Sequence, residues 1–120
     1  MTRITTRPGD KADLLALHPE GLPHTCRIIA VCDGDKTIGV CGVMHGQQLH
    51  AFSYISDELR EYPAAIYRAG VKLVELMGRY NAPILAEADK TQRRSAEFLL
   101  RLGFREIGEW KGQRLFIWEK

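Results

Sequence analysis

The sequence predicts an α/β domain with a mixed, mostly antiparallel sheet and helices on both faces. Three observations carry this. The apolar runs around 26–55 are short, β-rich and separated by turn signals. Residues 63–80 carry a helical stripe, and a further helix and a closing hairpin follow a single strand. Helices interleaved with a strand meander bury their apolar faces best on a shared sheet. The chain has 120 residues, one domain's worth.

The elements follow in order. Residues 2–7 are short and β-prone, and Pro8-Gly9-Asp10 reads as a break after them. Asp10 is placed to cap a helix over Asp13–Leu17, which His18-Pro19 closes. Cys26–Val31 is a strand. Asp33-Gly34-Asp35 is a hairpin turn, because glycine supplies the positive φ a tight turn needs. Ile38–Met44 returns, with Gly39 and Gly42 marking a bulge or a close backbone approach. His45-Gly46-Gln47 turns the chain into a third strand, Leu49–Ile55.

The helix over Pro63–Tyr80 puts Ile66, Ala69, Gly70, Leu73, Leu76, Met77 and Tyr80 on one stripe. Arg68, Lys72, Glu75 and Arg79 take the opposite face. Pro63 suits its first turn, and Asn81 stands where a left-handed cap belongs. Pro83–Ala88 is a strand, Thr91–Leu102 a helix stopped by Gly103, and Arg105–Lys111 with Gln113–Trp118 a hairpin around Lys111-Gly112. The order is β-α-βββ-α-β-α-ββ.

Composition narrows function by exclusion. An apolar fraction of 45% and a charged fraction of 27% are ordinary globular values. Seventeen basic against fifteen acidic residues, net +2, demand neither a nucleic-acid nor a membrane partner. The local cluster Arg93, Arg94, Arg101 and Arg105 reads as a solvated helix face. Cys26, Cys32 and Cys41 are an odd set without paired spacing, which argues for a reduced, cytoplasmic protein. Cys32 and Cys41 flank the first hairpin and could face each other across it. Cys41, His45 and His50 could converge, but a zinc site needs about four ligands, so no metal is expected.

The element order resembles the GNAT (Gcn5-related N-acetyltransferase) family. The stretches that carry the resemblance are Thr6-Arg7-Pro8-Gly9-Asp10-Lys11-Ala12-Asp13-Leu14, then Arg60-Glu61-Tyr62-Pro63-Ala64-Ala65, then Ser95 to Phe104 with its Gly-Phe end. The middle stretch stands where the family carries Arg/Gln-x-x-Gly-x-Gly/Ala. The resemblance implies acetyl-CoA as cofactor, its pyrophosphate held by amides at a helix N-terminus. It assigns Ile55, Arg60, Pro63, Ala64, Ala65 and Gln92 to cofactor binding. The backbone amides of Ala64, Ala65 and Ile66 are the expected donors. Candidates for the general base are Glu87, on the strand after the long helix, and His50, on the third strand, with Glu58 in the turn a further carboxylate. The third and following strands should be parallel and splay apart to admit the pantetheine arm. Tyr54, Tyr62 and Tyr67 are the side chains large enough to fill that splay.

Two departures from the family pattern bear on chemistry. Pro63 replaces a glycine and removes an amide donor. Leu99 stands where the family often places a tyrosine general acid. The closing hairpin also leaves a minimal acceptor side. A narrower similarity is to small GNAT-like proteins of short-tailed phages, grouped with the internal virion protein A family. It rests on Ser56-Asp57, the Arg60-to-Ala65 stretch, Phe98-Leu99 before Leu102-Gly103, and Gly112-Gln113-Arg114-Leu115-Phe116. This similarity implies phage or virion proteins as partners and a place in virion assembly. Two functions therefore stand as expectations: a degenerate acetyltransferase with a structural task, or a minimal active enzyme.

Overall fold

The computed structural model describes residues 4–89 and 93–120, without the side chains of Asp89 and Arg93. Seven strands form one sheet: β1 (Ile4–Gly9), β2 (Cys26–Asp33), β3 (Lys36–His45), β4 (Leu49–Ile55), β5 (Ile84–Asp89), β6 (Arg105–Trp110) and β7 (Gln113–Trp118). The helices are α1 (Lys11–Leu17), α2 (Asp57–Arg60), α3 (Pro63–Met77) and α4 (Arg93–Arg101). The strands lie in the order β1-β2-β3-β4-β5-β7-β6. Every pairing is antiparallel except β4 with β5. The mixed, mostly antiparallel sheet and the element order match the expectation from periodicity.

The two faces are built differently. Along β3, Val40 packs with Leu14 of α1 and Ile28 of β2. Its neighbours Cys41 and Val43 point the other way, into a cluster with Leu73, Leu76 and Met77 of α3 and Ala96 of α4. This alternation is the period-two pattern of a strand buried on both sides. Phe116 and Trp118 of β7 join that cluster, and Phe116 is fully buried. A smaller cluster of Val31, Ile38, Leu59, Ala65 and Ala69 continues the same core toward the start of α3.

Gly42 is required where it stands. A Cβ there would collide with the carbonyl oxygen of Arg27 on the neighbouring strand. Close backbone approach is thus the reason for this glycine, and the bulge lies elsewhere, between Val31 and Cys32. The first hairpin turns on Gly34 at φ 60, the last on Lys111 and Gly112 at φ 50 and 80. The latter pair is a two-residue turn with both central residues left-handed, the geometry that matches strand twist.

Two boundaries differ from the sequence expectation. Pro8 and Gly9 do not break β1; the strand runs through them, with Pro8 opposite Ile29. Proline is tolerated there because β1 is a sheet edge and one side of its backbone needs no partner. Helix α3 ends at Met77, and Gly78, at φ −62, closes it in right-handed conformation. Asn81 is not a left-handed cap, since Lys111 is the only described non-glycine residue with positive φ. Tyr80 instead leaves the helix, and its hydroxyl meets His45 Nε2 at 2.6 Å. At the other end of the sheet β7 pairs with β5, and β6 forms the far edge.

Helix α4 ends as expected. Gly103 has φ 101. The Phe104 amide donates to the Leu99 carbonyl at 3.0 Å and the Gly103 amide to Leu100 at 3.1 Å. These are the two bonds of a Schellman stop. Phe104 and Leu99 both pack on the main core.

Candidate functional site

The parallel contact between β4 and β5 is confined to two positions, Leu49 with Ile84 and His50 with Leu85. Beyond them β4 continues to Ile55 and β5 to Asp89 without pairing to each other. The two strands therefore splay toward their C-terminal ends, as the resemblance implied. The unpaired stretch of β4 keeps its antiparallel partner β3 on the other side, down to Ile55 opposite Gly39.

His50 and Glu87 sit at the mouth of this splay. His50 is level with Leu85, and Glu87 follows two residues later on β5, so both side chains leave the same face of the sheet. Glu87 is exposed and His50 half-buried. The His50 Nδ1–H donates to the Gln48 carbonyl at 3.3 Å, which leaves Nε2 as the ring's acceptor. Three large tyrosines are engaged elsewhere. Tyr54 stacks on His18 with ring centroids 4.2 Å apart. Tyr62 packs against the cluster of Val31, Ile38, Leu59, Ala65 and Ala69. Tyr67 is exposed.

The stretch from Ser56 to Ile66 decides whether an anion can be held. Ser56 caps α2, its side chain accepting from the Leu59 amide at 3.3 Å. This coils the segment into a helical turn. The amides of Arg60, Glu61 and Tyr62 then donate to the carbonyls of Ser56, Glu58 and Leu59. The amides of Ala65 and Ile66 both donate to the Tyr62 carbonyl, at 3.0 and 3.1 Å. Pro63 has no N–H. From Arg60 to Ile66 only the Ala64 amide is left without a backbone carbonyl.

Of the expected donors Ala64, Ala65 and Ile66, only Ala64 keeps its amide free of a backbone carbonyl. A helix N-terminus binds anions through several unsatisfied N–H groups acting together. One is left here. Arg60 does not replace them freely: its Nε lies 3.5 Å from the Asp57 carboxylate, one turn back. Ile55 packs its side chain into the Val31–Ile38–Leu59 cluster, so only its backbone edge faces the splay. Gln92 lies outside the described residues. Toward a coenzyme A pyrophosphate this stretch thus offers the Ala64 amide and the Arg60 side chain.

Leu99 is half-buried against the main core and supplies no proton. The cysteines are equally inert. Burial pushes the Cys41 thiol up to about 12 and raises that of Cys26. Cys41 pairs with Ile29 and Ser53 across the sheet, whereas Cys32 pairs with Thr37, so the two do not face each other. All three are free thiols. His45 spends both ring nitrogens, on Thr25 Oγ1 at 3.2 Å and on Tyr80. Among the described residues no group of three or more His, Cys, Asp or Glu side chains is arranged to hold a metal. No described helix is long and apolar enough to cross a membrane.

One polar site escaped the sequence reading. Asp13 is 6% exposed. Its carboxylate accepts from both terminal nitrogens of Arg7 at 2.9 and 2.8 Å, from Thr37 Oγ1 at 2.7 Å and from the Asp10 amide at 2.9 Å. The Asp10 side chain in turn accepts from the Asp13 amide at 3.1 Å, completing a capping box at α1. Hydrogen bonds from Arg7 hold the Asp13 carboxyl well below the usual carboxylate range, and the same pairing raises the Arg7 guanidinium. This cluster ties β1, α1 and β3 together. It is architecture, remote in the chain from the β4–β5 splay.

By sequence the chain matches no protein-family model and no curated protein. Solved structures share its fold. An acetyltransferase from Bacillus subtilis in complex with CoA superposes with a TM-score of 0.70 at 14% identity, over 98% of this chain and 99% of the other. A GNAT family acetyltransferase from Elizabethkingia anophelis with acetyl-CoA bound gives 0.70 at 10% identity, over 98% of both chains. ElaA from Escherichia coli gives 0.68 at 13% identity, over 99% and 100%. The chain thus has the fold of the GNAT acetyltransferases along essentially its whole length.

Proposed function

We propose that this chain is a GNAT-fold protein that has given up acetyl transfer and acts by binding a protein partner. The observation that carries this reading is the amide inventory from Arg60 to Ile66. Five amides are spent on chain carbonyls and a sixth position is proline, where a cofactor-binding turn needs open donors. Leu99 adds to it, because the position that would protonate a departing thiolate is a hydrocarbon in the core. The partner-binding role accords with the similarity to phage internal virion proteins, which implies a virion-assembly task with other phage proteins as partners.

A second reading has its own observation. His50 and Glu87 share a face beside a genuine splay of β4 and β5, with Nε2 of His50 available as a base. On this reading the protein is a minimal acetyl-CoA-dependent N-acetyltransferase without a tyrosine acid. Loss of general acid help alone costs on the order of 10²–10⁴ in rate. A thiol-release assay separates the two. Acetyl-CoA is incubated with the protein and a panel of polyamine, amino-acid and peptide amines. Release at the buffer rate is expected. Release above it that falls in Glu87→Gln or His50→Gln would establish the enzyme.

A further inference from the structure

The sheet edge opposite the splay carries a groove that none of the acetyl-transfer residues line. Helix α3 crosses the sheet on the face from which Ile4, Thr6 and Pro8 of β1 project, since these pair with Asp33, Val31 and Ile29 of β2. Between helix and edge strand lie two adjoining hollows of about 280 and 640 Å³. Thr6 and Lys72 border both, so the hollows adjoin along α3 and are taken together as one channel. Its floor is partly apolar, with Ile4, Ile29 and Leu76.

The walls of this channel are basic. Arg68 and Lys72 line it from α3, Arg79 from the turn after that helix, Arg27 from β2 and Arg7 from β1, against the single carboxylate of Glu75. Arg27, Arg68 and Arg79 have no ion-pair partner among the described residues, and Lys72 meets Glu75 only at 3.8 Å between two exposed side chains. A chain of net charge +2 thus gathers five cations along these hollows, of which Arg7 is held in a close ion pair with Asp13. Like charges so placed repel one another, and a counter-charged ligand relieves that.

We infer that this channel takes an acidic, extended segment of a partner protein. The dimensions fit an extended chain. Arg68 and Lys72 are offset by about 6 Å along the axis of α3. Alternate residues of a strand lie about 6.6 Å apart, so carboxylates two residues apart match the spacing of Arg68 and Lys72. The intervening apolar side chains face Ile4, Ile29 and Leu76. Strand β1 adds an outer edge with no strand beyond it among the described residues, to which an extended chain can hydrogen-bond. A single-stranded nucleic acid offers the same charge, but the described lining residues of the channel include no aromatic side chain on which bases could stack. The inference supplies the surface for the partner-binding role and rests on that reading only for the existence of a partner.

Fluorescence anisotropy tests it on the whole protein. The probe is a fluorescein-labelled ten-residue peptide of alternating glutamate and valine; the same peptide with lysine for glutamate and a twelve-nucleotide oligothymidylate are the comparisons. Saturable binding of the acidic peptide is expected, weakening as salt rises, with on the order of tenfold loss in Arg68→Glu/Lys72→Glu. The exposed Arg105→Glu, on the far edge strand, should leave it unchanged. Absence of binding, equal binding by the oligothymidylate, or binding indifferent to the double variant would overturn the inference. Titration with acetyl-CoA reports separately on the splay, so failure of the groove and failure of the non-enzymatic reading are distinguishable.

Discussion

The Arg7 guanidinium grips both carboxylate oxygens of Asp13, at 2.9 and 2.8 Å, across the corner where β1 becomes α1. Arg7 is half-exposed and Asp13 is buried, so the weight of the pair falls on the carboxylate. Removing it strands the Thr37 hydroxyl and the Asp10 amide as well. Asp13→Ala is expected to destabilise the fold by about 2–4 kcal/mol, the usual range for breaking a buried charged network. Chemical denaturation measures this directly; a loss below 1 kcal/mol would remove the cluster from the account.

The same pair fixes a pH dependence. The folded carboxyl of Asp13 titrates below its unfolded value, chiefly through the hydrogen bonds from Arg7. A depressed folded pKa stabilises the protein above the unfolded value of about 4, and that contribution fades as pH falls below it. Melting temperature should therefore drop between pH 5 and pH 3 by more in the parent than in Asp13→Asn. Parallel curves would contradict this.

Pro63→Gly restores one backbone N–H at the start of α3. It leaves the amides of Arg60, Glu61, Tyr62, Ala65 and Ile66 where they are. The substitution is expected to cost about 0.5–1 kcal/mol through chain entropy and to yield no coenzyme A binding by calorimetry. Binding gained by this change alone would make proline, rather than the coiling of the segment, the obstacle.

Leu99 is a core residue at a position that the family resemblance treats as chemical. Leu99→Ala should lower stability by about 2 kcal/mol, the low end for a leucine that is half-buried. An unchanged melting temperature would place the side chain outside the core.

Gly103→Leu puts a β-carbon at φ 101 and next to the Trp118 ring. A loss of about 1–3 kcal/mol is expected, read as a shift in the denaturation midpoint. Tolerance of leucine would contradict the Schellman stop.

Much of this molecule was legible in its sequence because the relevant signals are local. The stripe of α3, the glycine stop of α4 and the two-residue turn at Lys111-Gly112 each depend on neighbours a few positions away. The splay of β4 from β5 was anticipated from the family resemblance. Other features depend on what lies across the sheet. Pro8 reads as a breaker until its place on an edge strand is known. Asp13 reads as an ordinary first-turn carboxylate until Thr37, from the third strand, is found beside it. The missing amides at the start of α3 are hidden because Ser56 as a cap, which coils the segment, looks like any serine after a strand. Alternation of exposed cations on α3 was visible; the hollow beneath them, formed with β1, was not.

We propose that the segment from Arg60 to Ile66 holds no pyrophosphate. Isothermal titration of the protein with acetyl-CoA, with free coenzyme A alongside, tests this most directly. The account predicts no saturable heat up to millimolar ligand. A one-to-one isotherm with micromolar affinity would contradict it, and would mean that the turn opens to free its amides.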